Sequence, residues 1–180
     1  MKILKRILVA IALLIALLLI IALFIKGDYD VQRQVTINKP KQEVYDYVRF
    51  LKNQDNYSIW SQRDPNMKKE YKGTDGTVGF IASWDSEDKE VGKGEQEIIK
   101  LTDGERIDTR LRFKIPFEAQ DDAYFTTETV AENQTKVTWG FKGKFPYPMN
   151  LMCLFFSMDK EVGKDLAAGL NNLKDVLEKR

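Results

Sequence analysis

The chain has no histidine and one cysteine in 180 residues. Without imidazole it lacks the usual general base near neutral pH, the Ser-His-Asp and Cys-His triads, and the commonest metal ligand. Zinc would need a Cys/His cluster, which is absent. A lone Cys153 forms no intramolecular disulfide, so cysteine usage names no compartment. It lies among Leu151, Met152, Leu154, Phe155 and Phe156. A thiol in such apolar surroundings is poorly ionised and inert, so a packed cysteine is expected. An excess of one charge is also missing. With Lys2, Lys5 and Arg6 set aside, the 28 basic residues fall to 25 against 27 acidic ones. That balance carries no electrostatic footprint for nucleic acid. There are no repeats, and one segment alone is of low complexity.

That segment is a run of nineteen apolar residues, Ile7 to Ile25, with Lys2, Lys5 and Arg6 before it and Lys26 after it. As a helix it spans roughly 28 Å, close to the ~30 Å hydrocarbon core of a bilayer. A secretory signal peptide is the rival reading. Its apolar region is usually about 7–15 residues and ends at a small-x-small cleavage site, whereas this run ends Ala22-Leu23-Phe24-Ile25-Lys26. An uncleaved anchor over residues 1–26 is expected, with residues 7–25 in the bilayer. The basic N-terminal flank favours an N-terminus in the cytoplasm and a domain outside it. A single-pass protein of a bacterial inner or plasma membrane fits this pattern. Residues 27–180 suit one domain. Only Gly27 and Asp28 precede an alternating segment, so the domain must sit near the headgroups.

Tyr29 to Ile37 alternates as a strand, with Val31, Arg33, Val35 and Ile37 on one face. Pro40 suits the first turn of a helix carrying Val44, Tyr45, Val48 and Leu51. A second short helix is expected over Asn53 to Trp60. Strands are expected over Lys68–Tyr71, Thr77–Asp85, Gly92–Leu101 and Arg106–Phe113. A hairpin of Tyr124–Ala131 and Thr135–Phe145 follows. Finally Leu151, Phe155, Met158, Val162, Leu166, Leu170, Leu173 and Leu177 form a stripe at helical spacing, predicting one long helix. One strand, two short helices, about six antiparallel strands and a long helix define an α+β class. A curved sheet wrapped around the terminal helix satisfies that order.

Several motifs sit on this frame. They are Trp60-Ser61 with Asp64-Pro65, Tyr71-x-Gly73, Gly76-x-Val78-Gly79, Trp84, Val91-Gly92-Lys93-Gly94-Glu95 with Ile98, and Gly163-x-Asp165-Leu166-x-x-Gly169-Leu170-x-x-Leu173-Lys174. With the element order, they resemble membrane-anchored bacterial members of the polyketide cyclase/dehydrase and lipid-transport superfamily (SRPBCC, also called START-like or helix-grip). Gln62-Arg63 departs from the Pro-Trp often found after the Trp-Ser pair. The resemblance implies a helix-grip fold, a cavity and, more loosely, a hydrophobic or amphipathic ligand.

Catalytic and metal chemistry finds little support. Asp121-Asp122 and Asp85-x-Glu87-Asp88 lack the EF-hand pattern and read as turn carboxylates. Gly92-x-Gly94 is too short for a phosphate loop and reads as a bulge or a close backbone approach. Glu95, Glu97 and Glu128 read as a solvated face. No cofactor is implied. Phe80, Trp84, Leu111, Phe113, Phe125, Trp139 and Phe141 are candidates for the concave face. Met152 and Phe156 are candidates on the gripped helix. These nine either fill a core or line a ligand cavity. The segment Met149 to Met158 is apolar nearly all round, more than one helix face requires. The leading expectation is a membrane-tethered, non-catalytic binding module for a hydrophobic small molecule or lipid. The alternatives are a cyclase/dehydrase-type enzyme using carboxylates or tyrosines, and an envelope interaction protein whose fold has no pocket.

Overall fold

The computed structural model describes residues 2–179. Its first helix, α1 (Lys2–Ala22), is exposed over almost its whole length and buries only Ala22. Its apolar stretch from Ile7 onward has no protein around it to shed that surface in water, so length and composition suit a bilayer. The rest is an α+β unit. A seven-stranded sheet contains β1 (Asp28–Ile37), β2 (Lys68–Lys72), β3 (Ile81–Asp85), β4 (Lys93–Thr102), β5 (Arg106–Ile115), β6 (Ala119–Ala131) and β7 (Gln134–Lys144). The order is β1-β7-β6-β5-β4-β3-β2, and every pair is antiparallel. Two short helices, α2 (Lys41–Val48) and α3 (Ile59–Arg63), flank a 3-10 turn at Leu51–Asn56. The long helix α4 (Met158–Glu178) lies along β1 and β7. This is the helix-grip arrangement expected from the order of elements.

The alternation within the strands decides which face meets α4. Ile107 and Thr109 on β5, Phe125 and Thr127 on β6, and Val137 and Trp139 on β7 are all buried. On α4, Leu166, Leu170, Leu173 and Leu177 are at most 1% exposed and form one stripe at spacings of 4, 3 and 4. The far half of the grip is a filled core, in which these leucines meet Ile37, Val44, Val48 and Val137. The outer face of the sheet carries ion pairs instead. Arg112 joins both Glu95 and Glu97, and Lys136 meets Glu128 at 2.7 Å. The expected solvated face is therefore this charge ladder.

Three expectations need correction. The last helix does not begin at Leu151. Residues Met149–Leu154 form a 3-10 turn, and α4 starts after Ser157, whose side chain accepts from Lys160 N. A serine N-cap with Asp159 and Glu161 in the first turn is a strong start signal, and it outweighs the apolar spacing that ran through it. Next, β3 begins at Ile81, not Thr77: Thr77 N and Phe80 N are spent on turns, on Thr74 O and Thr77 O, although Gly79 N already reaches Ile98 O of β4. Finally, Asp121 and Asp122 are not turn residues. β6 starts at Ala119, and Asp121 is a buried, inward-facing strand position.

Candidate functional site: an aromatic cavity beside α1

The two ends of the grip differ. At the end where β1 starts and β7 finishes, the sheet and α4 do not close on each other. A cavity of about 840 Å³ remains between the concave sheet, α3 and the first turns of α4. Its wall on the sheet side is aromatic. Trp84 of β3 meets Phe113 of β5 edge-on at 6.0 Å, Phe113 meets Phe141 of β7 at 6.5 Å, and Phe141 stacks on Tyr29 of β1 at 5.9 Å. Gly94 makes room for this wall: a Cβ there would lie 2.6 Å from the Trp84 ring. The Trp84 indole N–H donates to Val91 O at 3.2 Å, so no unpaired polar atom of that ring is turned into apolar space. On the opposite side, Met158, Val162 and Leu166 of α4 complete the lining, with Trp60 of α3. Trp60 also meets Trp139 edge-on at 5.9 Å.

Few polar groups interrupt this surface. Tyr29 Oη donates to Asp121 Oδ1 at 2.8 Å. Burial pushes the Asp121 carboxyl above the usual carboxylate range, against the opposing effect of the Tyr29 hydrogen bond. Burial likewise pushes the Tyr29 phenol up, with the neighbouring Asp121 charge adding to it. Each therefore favours its protonated form. Most other charged lining residues are paired: Lys69 with Asp55 at 2.7 Å, Glu90 with Arg63 at 3.5 Å and Lys144 with Asp28 at 3.2 Å, while Glu118 is exposed. Arg63 also grips Asp165 of α4 with two bonds of 3.0 and 2.9 Å. Gln62 accepts from Asn172 at 3.2 Å. Gln62 and Arg63 thus fasten α3 to α4 over the cavity. Among the described residues no three His, Cys, Asp or Glu side chains group as metal ligands.

Of the nine candidate residues, Trp84, Leu111, Phe113, Trp139 and Phe141 line the cavity. Phe80 and Phe125 do not. Phe80 is buried with Leu51 and Ile98 in a small separate core. Phe125 lies beneath the cavity floor, stacked on Trp139 at 4.7 Å. Met152 and Phe156 are also outside the lining, because they precede α4 instead of riding on it. Met152 O accepts from Phe155 N and Phe156 N, turning the chain outward and leaving Phe156 57% exposed. Cys153 is half-buried, not enclosed. Sequence reasoning missed Asp121 and Tyr29. Asp121 was legible by counting back in twos from Phe125 along β6. Tyr29 was not named among the candidates, although the same count in twos along β1 puts it on the face of buried Val31 and Ile37.

No family model and no curated protein matches the sequence. Solved structures do match in three dimensions. The Aha1 dimer from Colwellia psychrerythraea is similar at 16% identity and a TM-score of 0.53, over 83% of this chain and 96% of that one. Ara h 8.0201 is similar at 12% identity and 0.54, over 86% and 100%. Major latex-like protein 151 from Panax ginseng is similar at 12% identity and 0.58, over 83% and 97%. At such low identities the likeness concerns architecture alone: the chain carries the helix-grip fold of those proteins.

Proposed function

We propose that the protein is a membrane-tethered binding module, without catalysis, for a hydrophobic small molecule or lipid. The observation that carries this reading is the cavity. A space of about 840 Å³ is walled by Trp60, Trp84, Phe113, Trp139 and Phe141, within the range of small-molecule sites and with their mostly apolar character. A ligand's apolar body would leave water for this wall at about 25 cal/mol per Å² of area removed. The Tyr29–Asp121 pair would meet its polar end. α1 supplies the tether, as a span of residues 7–25. Residues 1–26 and 27–180 then act as anchor and binding domain. The lining counts against an interaction protein whose core is filled.

A second reading rests on Tyr29 and Asp121 alone. A buried carboxyl group beside a phenol can exchange a proton with a bound carbonyl compound, as a cyclase/dehydrase-type enzyme would need. The carboxylates on the lining are otherwise engaged or at its edge, so the binding reading is preferred.

All three tryptophans of the chain line the cavity, and intrinsic fluorescence therefore reports its occupancy. Full-length protein in detergent is titrated with a fatty acid brominated on its chain. Saturable quenching is expected, reversed by the unbrominated acid. Phe113→Asp should abolish it, because an unpaired charge on the wall costs free energy to bury; circular dichroism checks that the variant is folded. A folded wild-type protein with unquenched tryptophans defeats the binding reading.

A further inference from the structure

The last carbonyls of an α-helix have no partner within the helix. One side chain takes the last carbonyl of α1 and another three residues beyond it. Asn150 donates its amide to Ala22 O and to Ile25 O, each at 2.7 Å. Asn150 is 6% exposed, and its own N–H donates to Pro146 O at 3.1 Å. Beside it Phe145 N donates to Gly27 O at 3.0 Å, and any Cβ at position 27 would collide with Phe145 O. The short linker is therefore not a loose hinge. It is sewn on both sides to the segment that joins β7 to α4, and Phe145, Pro146, Tyr147 and Met149 of that segment line the cavity.

The same segment is unusual in chemistry. From Phe145 to Met158 it has no charged residue, in a chain that is 31% charged. Leu154, Phe155 and Phe156 are exposed, Phe155 to 81%. The turn between β5 and β6 adds Phe117, exposed at 55% and also a lining residue. Large apolar side chains in such a group mark a contact surface. The clamp indicates what covers it. α1 is just long enough to cross the hydrocarbon core, so its end lies at the bilayer interface, where aromatic side chains are favoured. A segment bound to that end lies there as well.

We infer that Asn150 holds the cavity rim in the interface of the bilayer that α1 crosses. Phe117, Leu154, Phe155 and Phe156 enter the headgroup layer, and a lipid chain passes from that leaflet into the cavity without crossing water. This rests on the reading of α1 as a membrane span and of the cavity as a lipid site. The clamp also gives Asn150 a role distinct from binding: it is a positioning residue that couples anchor to rim.

The test uses the full-length chain with Cys153→Ser, reconstituted in phosphatidylcholine/phosphatidylglycerol vesicles. A polarity-sensitive fluorophore is attached to one new cysteine at Leu14, Phe155 or Glu132. Lipids with a nitroxide near the headgroup or deep in the chain serve as quenchers. Label at Leu14→Cys should be quenched by the deep nitroxide. Label at Phe155→Cys should be quenched by the shallow one, at least twofold more than by the deep one. Label at Glu132→Cys, in the far hairpin, should respond to neither. Asn150→Ala should at least halve the quenching at position 155 and leave that at position 14 unchanged, with circular dichroism confirming the fold. Quenching at 14 but not at 155 overturns the rim placement and leaves the tether standing. Quenching at neither overturns both. A signal at 155 that water-soluble iodide removes in vesicles means that the patch faces solvent or a protein. Quenching at 155 that persists fully in folded Asn150→Ala overturns the clamp. Tryptophan fluorescence unaffected by brominated lipid, with position 155 quenched, defeats the cavity reading instead.

Discussion

The two ends of the grip are built on the same strands and the same helix, yet one is solid and the other hollow. At the far end, small and medium aliphatic chains such as Ile37, Val44 and Val137 fit between Leu170, Leu173 and Leu177, with α2 closing the side. At the end near α1, the rings of Trp84, Phe113 and Phe141 stand edge to face along the wall of an open space. Only α3 and the first turns of α4 cover them. Stability and ligand capacity are thus separated along one helix, with Trp139 at the boundary. It touches Tyr57 and Phe125 on the solid side and Trp60 on the hollow side.

That boundary makes Trp139→Ala the most damaging substitution. The side chain is 5% exposed, so a loss of about 3–5 kcal/mol is expected, read from denaturant unfolding in detergent. Leu173→Ala, in the solid end with no exposure, should cost about 2–5 kcal/mol and leave the quenching of the tryptophans by brominated fatty acid intact in whatever fraction folds. Phe113→Ala should reverse that pattern. The ring already faces open space, so its loss should cost less than about 2 kcal/mol while weakening ligand binding. If Phe113→Ala and Leu173→Ala destabilise equally, the hollow end is in fact packed and the contrast fails.

A subtler effect comes from pH. Burial raises the folded-state pKa of Asp121 above its ordinary value. The native state then holds a proton that the unfolded chain releases first. Stability contributed by this group is present below the unfolded pKa and declines as pH rises toward the folded pKa. Asp121→Asn should therefore gain stability relative to wild type as pH rises through and above the usual aspartate range, measured as the difference in thermal midpoint. A constant difference would mean that Asp121 titrates normally and is well solvated. The smallest effect is expected on the outer face. Arg112→Ala removes pairs with Glu95 and Glu97 whose side chains remain partly exposed, and such pairs contribute about 1 kcal/mol or less.

Periodicity by itself determined a good deal. The unbroken apolar run, the inward rows Ile107–Thr109–Leu111–Phe113 and Val137–Trp139–Phe141, and the leucine stripe of α4 follow from repeats of 3.6 and 2 residues, and the order of elements then leaves few folds. The tertiary structure decided the rest. Phe80 and Trp84 share a strand face by alternation, yet one is sealed in a side core and the other walls the cavity. Twist and turns, which local pattern does not encode, carry them to different neighbours. Leu151 and Phe155 match the helical stripe, but Ser157 caps the helix after them and Phe155 is left exposed. Asn150 reads as a lone polar break in an apolar stretch, and becomes the joint between anchor and rim only because the chain brings it back to Ala22, 128 residues earlier. A local pattern specifies which face a side chain takes. Which surface that face meets depends on contacts between residues far apart in the chain, and these exist only once the sheet has closed on its helix.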